Sequence, residues 1–279
     1  MRTKLLLVCL LILGSPSTSW SSEQPEKRYS FGVLPYLSAV RLEPIYVPIS
    51  IEMSKTVQGT VDFRTASNDK KFFSKLKQQS FDIALIQPFW YPPAVDQFGY
   101  LPLARFAEPL SSLVYVLDDS PIKTLDDLKG KIIATPPAFV PIVHMAKREL
   151  KRLGLIPGKD LELKAFKAID SCFQQIVIGA ASACIGPSFA QALIENKMNL
   201  RLRSILETPA IPGFSLIIHN RVPAEDRQKI QSLLLAWGKG GADMPANPLR
   251  EMSKGFVRAS DVEYDVVRSF IREISTASD

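Results

Sequence analysis

Short apolar runs alternate with amphipathic segments along almost the whole chain, and this alternation is the strongest constraint on its fold. Strand-like runs stand at YSFGVLP (29–35), TVDFRTA (60–66), FDIALIQP (81–88), YLPLARF (100–106) and SSLVYVL (111–117). Five more follow at KIIAT (131–135), LELKAF (161–166), SACIG (182–186), LRLRSIL (200–206) and FSLIIHN (214–220). Between most of them the apolar residues recur at helical spacing. Over 68–79, Phe72, Phe73 and Leu76 fall on one side. The segment 39–58 reads as a helix whose first turns are disturbed by Pro44 and Pro48. Further helices are predicted over 139–154, 170–179 and 187–197, then from Pro223, where Glu225 and Asp226 suit a helix N-terminus. A last helix over 261–274 should pack Val262, Val266, Val267, Phe270 and Ile274. Strands alternating with helices over 279 residues predict an α/β fold with mostly parallel sheets, as two ordinary domains or one large one.

One stretch has legible punctuation. Thr124 stands where a helix cap belongs, Asp127 lies three residues on, and Gly130 stops the turn before the buried strand at 131–135. The N-terminus is a separate segment. Arg2 and Lys4 precede an apolar run at 5–13, and small residues follow, the three-part plan of a secretory signal peptide. Cleavage is expected near Ser19–Ser22, making 1–21 the leader. The run is too short for a stable membrane-spanning helix, and Cys9 lies inside it, where lipid attachment is disfavoured. The reading is an exported, soluble, periplasmic protein.

Charge and composition exclude several functions. Apolar residues at 46% and charged residues at 22% describe a globular chain, not a disordered one. The net charge of +6 falls to +4 without Arg2 and Lys4, and the remaining cations are scattered among acids as in KRELKR. No basic block is interleaved with aromatics, so nucleic acid is not an expected partner. His144 and His219 have no ligand spacing around them, so neither a metal nor another cofactor is expected. No nucleophile–base pair or phosphate loop can be assembled, which argues against an enzyme. Beyond the leader only Cys172 and Cys184 remain. They could pair in an oxidising compartment, but a helix start and the following strand usually hold Cα atoms too far apart, so two buried thiols are the expectation. Nothing supports an oligomer, and a monomer is assumed.

In parallel α/β sheets, ligands bind where strands end and helices begin. The loops that qualify are LPYLS, IQPFWY, ATPPAF and IGPSF. They carry Tyr36, Gln87, Phe89, Trp90, Tyr91, Thr135, Pro137, Phe139 and Ser188, with Phe189 beside them, and Asp170 stands at the start of another helix. Each has a plainer reading: the aromatics as core, the prolines as a rigid helix start, Asp170 as an N-cap for 171–179, His144 as structural.

The order FGVLPY, FDIALIQPFWY, SSLVYVLDDSPIKTLDDLKGKIIAT, IGAASACIGP resembles the periplasmic solute-binding proteins of ABC importers, most of all the phosphate, phosphite and phosphonate-binding group. The resemblance spans roughly 29–240, and 111–135 is its most specific part. It implies a type II fold: two doubly wound, mostly parallel α/β lobes joined by crossing hinge strands, closing over a ligand. Lobe 1 would be 28–113 plus 217–279 and lobe 2 114–216, with 111–117 crossing outward and 212–219 returning. Oxyanion binders of this family carry a Ser-Thr-x-Gly type stretch after the strand matching 131–135, whereas this chain has Pro136-Pro137-Ala138-Phe139. A family His-Asp pair is Ile169-Asp170 here, and a family acid is Ser182. Proline has no N–H to donate, and a desolvated anion without partners is costly. The expectation is therefore a binding protein serving an inner-membrane transporter, its pocket refitted for a more apolar, lipid, sterol-like or aromatic ligand oriented by Gln87, Thr135, Asp170 or Ser188. The alternatives are an ordinary phosphonate or phosphate importer component, or a lipid-shuttling or sensory protein.

Overall fold

The computed structural model describes residues 26–238, 243–245 and 247–276. The expected leader at 1–21 lies outside the described residues. The first half of lobe 1 is β1 (Arg28–Val33), α1 (Ala39–Val57), β2 (Thr60–Arg64), α2 (Asp69–Lys77), β3 (Ile83–Ile86), α3 (Tyr91–Gln97) and β4 (Tyr100–Phe106). Lobe 2 follows as β5 (Ser112–Leu117), β6 (Ile132–Thr135), α4 (Pro141–Arg152), β7 (Glu162–Ala165), α5 (Ile169–Val177), β8 (Ala183–Pro187), α6 (Ala190–Met198) and β9 (Leu202–Glu207). The chain returns through β10 (Ser215–His219), α7 (Ala224–Ala236), α8 (Asn247–Ser253), β11 (Phe256–Val257) and α9 (Asp265–Thr276).

Two sheets result, ordered β11-β4-β10-β3-β1-β2 and β7-β6-β8-β5-β9. Both are mixed rather than mostly parallel. β1 runs parallel to β2 and β3, and β6 to β7 and β8. β10 is antiparallel to β3 and β4, and β5 to β8 and β9. The reason is connectivity: β5 and β10 each follow a crossing and join the new sheet from the opposite direction.

The crossings themselves are residues 107–111 and 208–214, since β5 and β10 lie wholly within their sheets. Leu110 and Ile211 form an antiparallel bridge there, each N–H donating to the other's carbonyl at 2.9 Å. Thr208 extends it, its N–H reaching the Ser112 carbonyl and its Oγ1 accepting from the Ser112 N–H at 3.0 Å. Gly213 sits where this ribbon is tightest: a Cβ there would stand 2.2 Å from the Glu108 carbonyl oxygen.

Local readings mostly follow the apolar pattern. α1 runs unbroken through Pro44 and Pro48, because Leu42, Ile45, Tyr46, Ile49 and Met53 bury one face and tertiary packing outweighs two lost N–H groups. Asn68 caps α2 by accepting the Lys71 N–H at 2.9 Å. Asp127 accepts from the N–H groups of Lys123 and Thr124 and from the Thr124 hydroxyl, and Gly130 follows at φ +71°, closing a single 3-10 turn. α9 begins at Asp265 after a 3-10 turn, so Val262 and Val266 are exposed while Val267 and Phe270 are buried. The short elements α8 and β11 have no counterpart in the sequence reading.

Each lobe has its own core. Lobe 2 buries Val114, Val116, Ile133 and Leu150 on one sheet face and Leu113, Tyr115, Phe173 and Ile176 on the other. The latter face includes Cys172 and Cys184, which form a disulfide with Cα atoms 5.8 Å apart. The expectation of two free thiols is corrected: α5 packs directly over β8, and this brings the helix start within bridging range. The lobe 1 core takes in Ile142, Val143 and Met145 from α4 of lobe 2, so the lobes are pressed together at the α4 N-terminus.

Two carboxylates pin the start of β1 in lobe 1. Asp226 is fully buried and accepts from Tyr29 Oη at 2.7 Å and Lys27 Nζ at 3.0 Å. Asp82 accepts from the Ser30 N–H at 2.8 Å and Arg221 Nε at 2.7 Å. Burial pushes both carboxyls up, but the donated hydrogen bonds and nearby cations outweigh it and hold them below the usual range. A depressed folded-state pKa stabilises the fold above the unfolded value, about 3.9 for Asp, and that stability disappears as pH falls through the folded value. Chemical denaturation between pH 6 and 2 should therefore show stability falling below about pH 4. Asp226→Asn should be less stable at neutral pH and show a shallower acid slope. An unchanged slope would remove Asp226 from this account.

Candidate interlobe binding site

The ends of β1 and β3 in lobe 1 face the ends of β6 and β8 in lobe 2. Tyr36, three residues past β1, is half-buried, its Oη 3.0 Å from Tyr46 Oη on α1. Burial pushes the Tyr36 phenol up to about 12, so it stays a neutral donor and acceptor. Its ring lies 6.4 Å from that of Phe214 in the return crossing, and Phe214 lies 6.5 Å from Phe189 after β8. This aromatic chain joins lobe 1, the crossing and lobe 2.

Polar groups gather at the same strand ends. Gln87 is 7% exposed, and its carbonyl accepts the Trp90 N–H. Thr135 is buried, with its hydroxyl donating to the Pro136 carbonyl at 2.7 Å. Ser188 is held by its N–H on the Ser111 carbonyl, yet its Oγ is buried without a hydrogen-bond partner among the described residues. Ser112 Oγ is in the same condition. The corner after β6 is not devoid of donors. Pro137 accepts from the Val140 N–H, while the N–H groups of Ala138 and Phe139, just ahead of α4, meet no protein acceptor among the described residues.

The remaining candidates divide. Phe89 sits between the lobes, 6.1 Å from His144 of α4 and 6.0 Å from Phe270 of α9. Trp90 stacks on Phe72 at 5.7 Å, and Phe139 is 54% exposed. Tyr91 is not brought into the cleft: it is fully buried in lobe 1 against Tyr264, because it opens α3 and turns inward. Asp170 also stays outside. α5 begins one residue before it, with Ser171 accepting the Ala168 N–H as the capping contact, and Asp170 pairs with Lys197 on the surface.

Sequence reasoning missed several contributors. Phe214 lies in a crossing, where no periodicity marks a site. His144 was set aside as structural, yet it faces Phe89, and burial together with Lys147 holds its pKa below the ordinary histidine value. Arg148 lies 4.3 Å over the Phe270 ring and 3.3 Å from Glu273, tying α4 to α9 across the lobes. A cavity of about 510 Å³ opens beside Phe89 between these elements, and another of about 860 Å³ lies at the ends of β1 and β2, lined by Ser38, Thr65, Ser67, Lys71 and Lys75. Among the described residues no cluster of His, Cys, Asp and Glu could hold a metal, and no helix is long and apolar enough to cross a membrane.

Two mixed α/β lobes, joined by two crossings and meeting at their strand ends, define the type II periplasmic-binding-protein class. A family model described as ABC transporter, phosphonate, periplasmic substrate-binding protein matches residues 31–264, and the chain belongs to that family. Solved structures agree on the fold. The binding-protein component of a phosphonate transporter from Pseudomonas aeruginosa superposes with a TM-score of 0.71 at 17% identity, covering 88% of this chain and 85% of that one. PhnD1 from Prochlorococcus marinus, in complex with methylphosphonate, gives 0.70 at 15% identity over 89% and 98%. A Xanthomonas citri protein bound to chloride, XAC2383, gives 0.68 at 14% over 90% and 98%. No curated protein sequence matches the chain. The chain thus belongs to a family of periplasmic, phosphonate-type substrate-binding proteins.

Proposed function

We propose that this chain is exported through its N-terminal leader, captures a small phosphonate-type anion between its lobes as a monomer, and delivers it to an ABC importer in the inner membrane. The observation that carries the ligand class is the buried, unpartnered Ser188 Oγ at the end of β8. Buried polar atoms are nearly always paired, and an orphan at a strand end asks for a ligand atom. The N–H groups of Ala138 and Phe139 supply further donors ahead of a helix N-terminus, where negative charge is favoured. Lys71 and Lys75 add positive potential near the β1 end.

The refitting for a lipid or sterol-like ligand finds no support in the family. Tyr36, Phe214 and Phe189 occupy the middle of the interface. Pro136 and Pro137 remove two donors, yet the next two residues keep theirs. A ligand touching both lobes would stabilise the closed arrangement by its differential affinity alone.

Titration calorimetry of the mature protein with methylphosphonate and inorganic phosphate tests this. Binding of methylphosphonate at about micromolar Kd or tighter is expected, and Ser188→Ala should weaken it roughly tenfold, the scale of one hydrogen bond to a charged group. Failure to bind either anion, together with a lipid recovered by organic extraction, would restore the apolar-ligand reading.

A further inference from the structure

The cavity beside Phe89 has no role in holding a phosphonate head group, and its chemistry differs from that of the strand ends. Its volume of about 510 Å³ is in the range that houses drug-sized ligands, far beyond what a methylphosphonate fills. It adjoins the proposed head-group site through Phe139, whose side chain lines it and whose N–H stands among the donors there, and through Gln87 and Phe89 just past the end of β3. Its walls come from both lobes: Trp90 and Ile271 from lobe 1, Phe139 from the corner after β6. The exposure of Phe139, 54%, is unusual for a phenylalanine next to an apolar wall and leaves its ring available to a ligand.

Arg268 in the cavity wall is shared among Asp96, Asp261 and Asp265, at 2.7, 2.8 and 3.1 Å, so these charges are tied to one another. Arg272 has no acidic partner among the described residues, and His144 adds a polar edge. We infer that this cavity is a side pocket for the aromatic or branched alkyl substituent of an organophosphonate whose head group sits at the strand ends. The inference rests on the proposed function above. The corner Pro136-Pro137-Ala138-Phe139 then has a consistent reading. Its two prolines stiffen the approach to α4, its two following amides face the anion, and its phenylalanine closes the side pocket.

Calorimetry with methyl-, butyl- and phenylphosphonate, on the parent protein and on Ile271→Gln and the pocket-filling Ile271→Trp, tests it. Phenylphosphonate should bind at least about tenfold more tightly than methylphosphonate, as burial of a ring predicts. Each variant should lose most of that gain while binding methylphosphonate within about twofold of the parent, which also shows that it is folded. If methylphosphonate binds but phenylphosphonate binds no better, or if the gain survives both variants, the side pocket is refuted and the proposed function stands. If no phosphonate binds, both fall.

Discussion

Gly213→Ala is expected to lower the unfolding free energy by about 3 kcal/mol, within the range for overpacking against a wall that cannot move. The new methyl would meet the Glu108 carbonyl oxygen at 2.2 Å and the Phe106 Cβ at 3.1 Å. A side chain could rotate away, but this neighbour is backbone. The outward crossing is itself fixed, with the Ala107 N–H on the Gly255 carbonyl and the Glu108 N–H on the Ser253 carbonyl, both at 2.9 Å. The strain must therefore spread into the Leu110–Ile211 bridge, the place where the lobes are joined. For a chain of this size the melting temperature should fall by roughly 6–12 °C. A melting temperature within a degree of the parent would show that the crossings separate freely and that their close approach is not structural.

Removing the Cys172–Cys184 bridge should cost a similar amount. The bridge closes a short loop, with a sequence separation of 12, for which the loss of unfolded-state entropy is about 3 kcal/mol. Both cysteines are fully buried, and in Cys172→Ala/Cys184→Ala the surrounding Tyr115, Phe173 and Ala190 stay packed, so destabilisation rather than misfolding is expected. A reducing agent should lower the melting temperature of the parent and leave the double variant unchanged. Equal melting curves for the parent with and without reductant would mean that the thiols are not bridged in the folded protein.

Most elements were legible because their apolar faces are long and periodic, as in α1, α2 and β1 through β10. The misses have physical causes. α8 and β11 are too short to carry a period, and Val262 and Val266 have the right spacing for a helix that in fact starts later, at Asp265. The bridge was unreadable because Cα separation depends on how closely α5 lies on β8, a tertiary quantity. Of the residues proposed for the site, those just past strand ends, Tyr36, Gln87 and Ser188, could be named from sequence. Phe214, in a crossing, and Arg272, on the last helix, carry no such mark, and the place of His144 beside Phe89 depends on how the lobes meet. The prolines of the β6 corner were read as removing the anion's donors, but Ala138 and Phe139 each keep an N–H, and only the fold shows that both lack a protein acceptor among the described residues.

The Leu110–Ile211 bridge has a consequence for inheritance. Chain leaves lobe 1 and returns to it at one pair of facing residues, so everything between is a cassette spliced into a host domain. Recombination could exchange that cassette without disturbing the order of strands in the host sheet. One condition travels with it: the incoming segment must bring an apolar helix face where Ile142, Val143 and Met145 now complete the host's core. New specificities could then arise by trading half a cleft at a time.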